Sequence, residues 1–317
     1  MQRIVFMGTP EFSVPSLKIL LDAGHQILAV VTPPDRPAGR GRKLKACPVK
    51  EFAVENDLPV LQPEKLRNPE FIDTLRKLNP DIIVVVAFRM LPEVVWQLPK
   101  NGTFNLHSSL LPDYRGAAPM NHAIINGEKE SGVTTFLLDH EIDTGKILFK
   151  EKVAISDEMN VGELHDILME KGAELVLKTV NALESGQVVP VDQNTVAEGQ
   201  KLSPAPKFTK EDLRIDWKKN AVDVHNFVRG LSPYPAAFTN LISPDKDAYI
   251  LKVYKTTLTE KSSTVPGETD TDGKSYLHIA TGDKYISVDS LQLAGKKRMR
   301  ITDFLRGFSV SNDWKMQ

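Results

Sequence analysis

Asp81-Ile-Ile-Val-Val-Val-Ala87 decides the fold class of this chain. Its apolar residues are continuous and mostly β-branched, which is typical of a strand in a parallel sheet whose two faces are both covered. Arg3-Ile-Val-Phe-Met7 predicts a buried first strand, and 26–32 and 103–107 predict two more. Because helical segments alternate with these strands, the sequence predicts an α/β fold with an open, mostly parallel, Rossmann-like sheet.

Turn and capping signals beside the strands predict where the helices begin and end. Thr9 and Pro10 follow the first strand, and we expect them to be the N-cap and the first residue of a helix. Asn160 and Glu163 form a capping-box pattern that predicts the start of a long helix. Gly186 predicts the end of that helix.

The second half of the chain has a different character. Residues 189–208 are polar and contain several prolines, which predicts a linker. A cap at Thr209 predicts a helix through Arg229, and short alternating strands broken by Gly and Asp follow it. We therefore predict a first domain over 1–188, a linker over 189–208 and a smaller C-terminal β-barrel, OB-like in type, over 209–317.

Composition limits the class of protein. The chain has 317 residues, of which 41% are hydrophobic and 26% charged, and its net charge is -1. Attraction to nucleic acid must therefore come from local patches. The single cysteine, Cys47, excludes an intrachain disulfide and a cysteine-cluster metal site. No apolar run is long enough for a signal peptide core or a membrane span. We expect a cytosolic, metal-independent monomer that does not bind membranes.

Two polar residues in one predicted strand suggest chemistry. Asn105 and His107 stand two apart, so their side chains share a face of the strand. The carboxyl end of such a strand is where α/β folds place ligands. An amide that donates hydrogen bonds beside an imidazole that moves protons suits acyl or formyl transfer. A hydrogen-bonded structural pair is the alternative.

A third candidate is Asp143, in the polar turn Asp143-Thr-Gly145 between two predicted strands. Its carboxylate could orient and charge the imidazole of His107. An Asx turn that closes a hairpin is the alternative. Aspartic proteases also use Asp-Thr-Gly, but they need two copies of this sequence, and the chain has one copy in an α/β setting.

The run Asn105-Leu-His-Ser-Ser-Leu-Leu-Pro-Asp-Tyr-Arg-Gly116, with Asp143-Thr-Gly145 downstream, resembles the folate-dependent formyltransferases. The chain is most similar to the members of that family that act on methionyl-tRNA. The other matching motifs are Gly8-Thr-Pro-Glu-Phe12, Pro34-Asp-Arg-Pro-Ala-Gly-Arg-Gly41, Arg115-Gly-Ala-Ala-Pro119 and Ala205-Pro-Lys-Phe-Thr-Lys210. The resemblance therefore covers both predicted domains and the linker.

The resemblance implies a reaction in which 10-formyltetrahydrofolate, a co-substrate, gives its formyl group to the α-amine of methionine on initiator tRNA. The implied catalytic residues are Asn105, His107 and Asp143. The implied folate-binding residues are Ser109, Leu110, Leu111 and Pro112, with Leu110 and Leu111 supplying apolar surface. Many relatives carry a glycine soon after the apolar strand, where this chain has Ala87-Phe88-Arg89-Met90.

A basic segment from Pro33 to Lys50 has glycine and proline punctuation, which suits a mobile arm. In the resembled family this loop enters the acceptor stem of tRNA, and Arg42 is our choice for the main contact. The predicted tRNA-binding residues are Arg36, Arg40, Arg42, Lys43, Lys207 and Lys210. Arg229 and Lys296-Lys-Arg-Met-Arg300 could also contact phosphates. A solvated charged surface is the alternative interpretation of such residues.

Several rival functions fit part of the pattern. Glycinamide ribonucleotide formyltransferases normally lack the β-domain, whereas formyltetrahydrofolate hydrolases and sugar-nucleotide formyltransferases can carry a related one; the Arg-Pro-Ala-Gly-Arg-Gly loop favours tRNA. A nicotinamide dehydrogenase is disfavoured because Gly8-Thr-Pro10 is not Gly-x-Gly-x-x-Gly. A non-catalytic RNA-binding module would leave Asn105, His107 and Asp143 unexplained.

Overall fold

The structure is a computed structural model that describes residues 1–38, 43–199, 201–263 and 265–317. The chain divides into two compact units. The first unit comprises Met1–Gly116, Ser131–Val153 and His165–Ala205. The second unit comprises Ala117–Glu130, Ala154–Leu164 and Pro206–Gln317.

The chain up to residue 205 contains both strands and helices. The strands are β1 (Arg3–Gly8), β2 (Gln26–Val31), β3 (Arg36–Ala38), β4 (Lys43–Lys45), β5 (Val60–Leu61), β6 (Ile82–Val86), β7 (Thr103–His107), β8 (Glu130–Leu137) and β9 (Ile147–Ala154). The helices are α1 (Val14–Asp22), α2 (Pro48–Glu55), α3 (Pro69–Leu78), α4 (Glu93–Trp96), α5 (Pro119–Ile125), α6 (Val161–Ser185) and α7 (Gln193–Ala197).

Seven of the described strands form one sheet in the order β5-β2-β1-β6-β7-β8-β9. The pairs from β5 through β7 are parallel, and β8 joins β7 antiparallel. All five residues of β6 are buried, as expected for a central strand covered on both faces. The open, mostly parallel sheet predicted from the sequence is confirmed.

Of the two helix starts predicted from capping signals, one is confirmed and one is wrong. The capping box is confirmed, because Asn160 Oδ1 accepts from the Glu163 amide at 3.2 Å and Glu163 Oε2 accepts from the Asn160 amide at 2.9 Å. The Thr9 cap is wrong. A 3-10 turn intervenes, and α1 begins only at Val14, where the Ser13 hydroxyl donates to the carbonyl of Val86 at 2.7 Å. A tertiary bond therefore replaces the local cap.

The second unit carries the antiparallel barrel. Its elements after residue 206 are α8 (Ala221–Leu231), β10 (Ala237–Ile242), β11 (Ala248–Ser262), β12 (Thr269–Thr271), β13 (Leu277–Ala280), β14 (Lys284–Leu293), β15 (Met299–Arg300), α9 (Ile301–Gly307) and β16 (Lys315–Met316). The strand order is β12-β13-β14-β11-β10-β16, with β15 on β14. A bridge between Glu268 and Lys315 joins the two ends, so the barrel is nearly closed, which confirms the predicted architecture.

Two expectations for the helix before the barrel are wrong. Thr209 does not cap α8: its amide and hydroxyl donate to Asp212 across a short 3-10 turn, and the side chain of Asn220 caps α8 instead. Arg229, which we considered as a phosphate contact, is 6% exposed. Its Nη1 donates to the carbonyls of Ser156 and Met159. The guanidinium therefore hydrogen-bonds to backbone carbonyls of the loop 156–159 rather than facing solvent.

Burial of His225 in α8 predicts a pH-dependent stability. Desolvation lowers the pKa of this imidazole below its ordinary value. The unfolded chain therefore binds a proton at His225 more readily, so stability present above about pH 6.5 is lost as the pH falls towards the lower folded-state pKa. We expect the Tm of the wild type to fall more between about pH 7.5 and pH 5 than that of His225→Gln, as measured by calorimetry. Parallel Tm profiles would contradict this expectation.

Within the described ranges, no helix combines the length and the apolar character that crossing a bilayer requires.

Candidate active site

Strand β7 places Asn105 and His107 at the predicted end of the sheet. Asn105 pairs in register with Val85 of β6 on one side and with Phe136 of β8 on the other. His107 is the last residue of the strand and lies opposite Thr134. Both side chains therefore project from the same face of a central strand. They lie near its carboxyl end, where the loop after His107 begins.

The amide of Asn105 is incompletely hydrogen-bonded. Its Oδ1 is buried and has no partner among the described residues. A buried polar atom without a partner costs about 1–3 kcal/mol, so such atoms are rare outside sites that bind something. The amide is therefore a polar group that the fold has not satisfied by itself.

The imidazole of His107 is held by a hydrogen bond at one nitrogen, and its other nitrogen faces a carboxylate. The ring is 7% exposed, and its edge meets Phe136 with 6.4 Å between the ring centroids. Its Nε2 lies 3.0 Å from the carbonyl oxygen of Tyr114. Because a carbonyl can only accept, Nε2 carries the hydrogen. The other nitrogen, Nδ1, lies 3.9 Å from Asp143 Oδ2, so a proton gained there would face a carboxylate.

The carboxylate of Asp143 is held in the first unit by a neighbouring loop. Its Oδ2 accepts from the backbone amide of Gly116 at 3.1 Å, and its side chain is 13% exposed. The backbone of Asp143 is left-handed, with φ of 58°. Gly145 permits this turn, because a Cβ there would lie 1.7 Å from the carbonyl oxygen of Leu137. The carboxylate bonds to Gly116 instead of closing its own turn, so the Asx-turn alternative does not describe it.

The Ser109–Pro112 segment is held tightly by hydrogen bonds. The Ser109 hydroxyl donates to the carbonyl of Asp113 at 2.7 Å, and the amide of Leu111 donates to Thr134 Oγ1 at 3.1 Å. The expectation that Leu111 offers apolar surface to a ligand is wrong, because its side chain is fully buried against Phe136 and Ile147. Leu110 is half-buried, whereas Ser109 and Pro112 are buried.

The segment Ala87-Phe88-Arg89-Met90 follows β6, at the place where many relatives carry a glycine. Ala87 has φ of 46°, a left-handed conformation in which glycine is usual. The guanidinium of Arg89 donates to the backbone carbonyls of Pro63 and Glu64 and lies 5.6 Å from the centroid of the Phe88 ring. Desolvation by burial, the larger cause, and the nearby charge of Arg36 lower the pKa of Arg89.

The predicted tRNA-binding residues lie in both units. Arg36 is exposed in β3, Lys43 lies in β4, and Lys207 and Lys210 are exposed in the second unit. Arg40 and Arg42 lie outside the described residues. Lys50, at the end of the basic segment, is not a free cation: its Nζ binds Asp35 at 2.6 Å and Gln62 Oε1 at 2.8 Å.

Two side chains that sequence reasoning did not assign lie beside the Asp143 loop. Arg115 belongs to the matching motif Arg115-Gly-Ala-Ala-Pro119, and Gln193 falls in the segment predicted as a linker. In the structure the two are hydrogen-bonded to each other, and Gln193 contacts the backbone of the Asp143 turn. Nothing in the local sequence of a polar segment could have indicated that Gln193 is buried.

Among the described residues, no three His, Cys, Asp or Glu side chains are arranged so that they could hold a metal ion.

Comparison with known proteins assigns the family. Residues 2–180 match the family model described as formyl transferase, and residues 207–309 match the formyl transferase C-terminal domain. The chain belongs to the formyl transferase family. The resemblance stated from the sequence motifs is thereby confirmed. Gln193 lies between the two matched segments of this formyl transferase.

Individual formyl transferases show the extent of the similarity. The chain is 50% identical over 315 residues to the methionyl-tRNA formyltransferase of Bacteroides thetaiotaomicron, covering 99% of this chain and 98% of the relative. It is 52% identical over 309 residues to that of Parabacteroides distasonis, covering 96% and 95%. A Helicobacter canadensis N-formyltransferase solved with folinic acid and dTDP-3-aminofucose shares the fold, with a TM-score of 0.67, 22% identity and coverage of 91% and 99%.

Proposed function

We propose that this formyl transferase moves the formyl group of 10-formyltetrahydrofolate to the α-amine of methionine on initiator tRNA. The products are N-formylmethionyl-tRNA, which serves translation initiation, and tetrahydrofolate. The observation that carries the proposal is the similarity, about half identical over nearly the whole chain, to proteins named methionyl-tRNA formyltransferase. In the reaction the bond between the formyl carbon and N10 breaks, an amide bond forms, the amine loses a proton and N10 gains one.

We assign the chemistry to Asn105, His107 and Asp143. The amide of Asn105 donates to the oxyanion that forms when the amine attacks the formyl carbon. His107 handles protons at Nδ1, where Asp143 is available to hold an imidazolium, and the positive charge of that imidazolium stabilises the oxyanion, because its Nε2–H is donated to the carbonyl of Tyr114. Asp143 also takes up or relays the amine proton, through water. An α-amine has a pKa of about 7.7–8, so positioning contributes alongside basicity.

Folate is the donor that this assignment requires. The Helicobacter canadensis structure, which shares the fold, was solved with folinic acid. We propose that the Ser109–Pro112 segment contacts the folate chiefly through the half-buried residue Leu110. The hydrogen bonds of Ser109 and Leu111 support this proposal, because they fix the backbone on either side of Leu110.

We propose a division of labour along the chain. Residues 1–188 carry the chemistry and some of the tRNA contacts, 189–208 connect, and 209–317 form a domain that also binds tRNA. The proposed tRNA contacts are Arg36, Arg40, Arg42, Lys43, Lys207 and Lys210. The exposure of Arg36, Lys207 and Lys210 supports contacts with phosphate, which require side chains that reach solvent.

Arg42→Ala tests the tRNA assignment. We expect kcat/KM for methionyl-tRNA to fall and the slope of log kcat/KM against log salt to shrink by about one, because one phosphate contact is lost. The KM for folate should not change. Arg76→Ala is the matched control, since Arg76 is exposed and paired with Asp73 on α3. An unchanged kcat/KM and salt slope in Arg42→Ala would remove Arg42 from the interface.

The acceptor is tested by following labelled formyl groups. Purified protein is mixed with formyl-labelled 10-formyltetrahydrofolate and either charged initiator methionyl-tRNA or an amino-sugar nucleotide, with uncharged tRNA as the control. We expect label in N-formylmethionine released from the tRNA, and none with uncharged tRNA. Label recovered only as free formate would indicate a hydrolase, and label transferred only to an amino-sugar nucleotide would indicate a different acceptor. Either result would overturn the proposal.

A further inference from the structure

Gln193 makes an unusual set of contacts for a residue in a polar connecting segment. It is 1% exposed. Its Nε2 donates to two backbone carbonyls, that of Asp143 at 2.9 Å and that of Gly145 at 2.7 Å. Its Oε1 accepts from Arg115 Nε at 3.1 Å and from Arg115 Nη2 at 2.7 Å. Both ends of one buried amide are therefore fully used, and every partner belongs to the Asp143 turn or to the segment facing it.

The backbone around Gln193 is anchored independently of its side chain. Val191 exchanges two hydrogen bonds of 2.8 Å with Ile147 of β9. The carboxylate of Asp192 caps α7 by accepting from the amide of Asn194 at 2.8 Å. Val196 packs against the buried cluster of Leu111, Phe136 and Ile147. Gln193 thus projects from a fixed support, which a residue that positions others requires.

The contacts of Gln193 bracket the carboxylate of Asp143. On one side, Gln193 binds the backbone of the turn that carries Asp143. On the other side, it binds Arg115, whose neighbour Gly116 donates its amide to Asp143 Oδ2 at 3.1 Å. The backbone of the Arg115–Gly116 segment is itself bonded to Ala205, whose amide donates to the carbonyl of Arg115 at 2.9 Å. Turn, carboxylate and facing segment are therefore linked through one side chain.

We propose that Gln193 is a positioning residue for formyl transfer, which sets the place of the Asp143 carboxylate relative to His107. This inference rests on the proposed function. Asp143 Oδ2 stands 3.9 Å from His107 Nδ1, a separation that no direct hydrogen bond fixes. The Asp143 backbone is left-handed, a conformation that persists in a non-glycine residue only where surrounding contacts impose it. The two bonds from Gln193 Nε2 supply such contacts.

Only an amide of this length satisfies all four contacts. The two carbonyls need donors, and the guanidinium needs an acceptor. The substitution Gln193→Glu keeps the acceptor for Arg115 and offers no donor to the carbonyls of Asp143 and Gly145. The substitution Gln193→Met keeps the volume and satisfies neither side. Gln193→Glu therefore separates the contact with the turn from the contact with Arg115.

The test is a double-mutant cycle. Gln193→Glu and Gln193→Met are made in the wild type and in Asp143→Asn, and kcat and KM for formylation of methionyl-tRNA are measured for each. In the wild type we expect both changes to lower kcat about 30- to 100-fold, because a misplacement of about 1 Å has effects of this size. Both KM values should change less than about threefold. In Asp143→Asn, the further loss should be less than about threefold, since the group being positioned is already altered.

The outcomes distinguish positioning from mere structural support. Asn194→Ala is the matched control, since this side chain is exposed on the same helix and should change neither constant. Rates are divided by the concentration of folded enzyme, counted by binding of 10-formyltetrahydrofolate. An equal loss in both backgrounds would overturn the proposal, and so would a chain that cannot fold without Gln193. A wild type that forms no N-formylmethionyl-tRNA would instead overturn the proposed function.

Discussion

Asn105→Ala is expected to lower kcat for formyl transfer about 10²- to 10³-fold, the usual cost of removing one donor to an oxyanion. The dissociation constant for the folate should change little, because the oxyanion exists only after the amine attacks. Steady-state formylation of methionyl-tRNA and equilibrium binding of the folate measure the two quantities separately. A loss confined to kcat is what a group that acts in the transition state produces.

For Asn105→Ala we also expect that the loss of a buried side chain does not lower Tm. Asn105 Oδ1 is buried without a partner among the described residues, so the fold gains nothing from that atom. Removing the amide should leave Tm unchanged or raise it, because an unpaired buried polar atom costs about 1–3 kcal/mol. The control is Asn56→Ala, at an exposed helix end where the Asn side chain donates to the carbonyl of Phe52. A drop in Tm with unchanged kcat would make Asn105 a structural residue and would contradict the proposed mechanism.

Asp143→Asn is expected to lower kcat about 10²- to 10⁴-fold, because general acid–base and charge-stabilising roles both need the carboxylate. Asn keeps the shape and can still accept from the amide of Gly116, so the turn and the fold should remain intact. The loss should therefore come from chemistry rather than from unfolding. The measurement is the pH profile of kcat, together with circular dichroism of the folded variant.

A matched control makes the result for Asp143 decisive. Asp139→Asn alters another carboxylate of the same loop, one that accepts from the amide of His140 at 2.7 Å and lies outside the proposed catalytic trio. It should keep kcat within about threefold of the wild type. Activity of Asp143→Asn equal to that of the wild type across pH would remove Asp143 from the mechanism and would also remove the basis for a positioning role of Gln193.

Much of the fold follows from local patterns. The apolar run ending at Val86 could be assigned because burial on both faces leaves no polar positions in a strand. The Asn160–Glu163 capping box could be assigned because its hydrogen bonds join residues close in sequence. Thr9, followed by Pro10, also has a local N-cap signal, but α1 starts later, where Ser13 bonds to the distant carbonyl of Val86. A distant tertiary bond leaves no local signal of this kind.

The same distinction between local patterns and contacts distant in sequence applies to the residues of the candidate site. Asn105 and His107 could be paired from their spacing, since alternate residues of a strand share a face. Gln193 could not be found, because it meets the Asp143 turn across about fifty residues of chain and lies in a segment whose composition indicates a linker. Arg229 shows the converse. Its charge predicted exposure, whereas backbone carbonyls of the loop 156–159 bind it in the interior.

A single-turnover experiment on the double variant Asn105→Ala/Asp143→Asn tests most directly whether Asn105 and Asp143 carry out formyl transfer. Enzyme saturated with labelled 10-formyltetrahydrofolate is mixed with methionyl-tRNA, and N-formylmethionyl-tRNA is quantified over time beside the wild type. We expect full conversion by the wild type and a rate at least about 10³-fold lower in the variant, with both substrates still bound. Conversion at similar rates in the two proteins would contradict the claim that formyl transfer takes place at this end of the sheet.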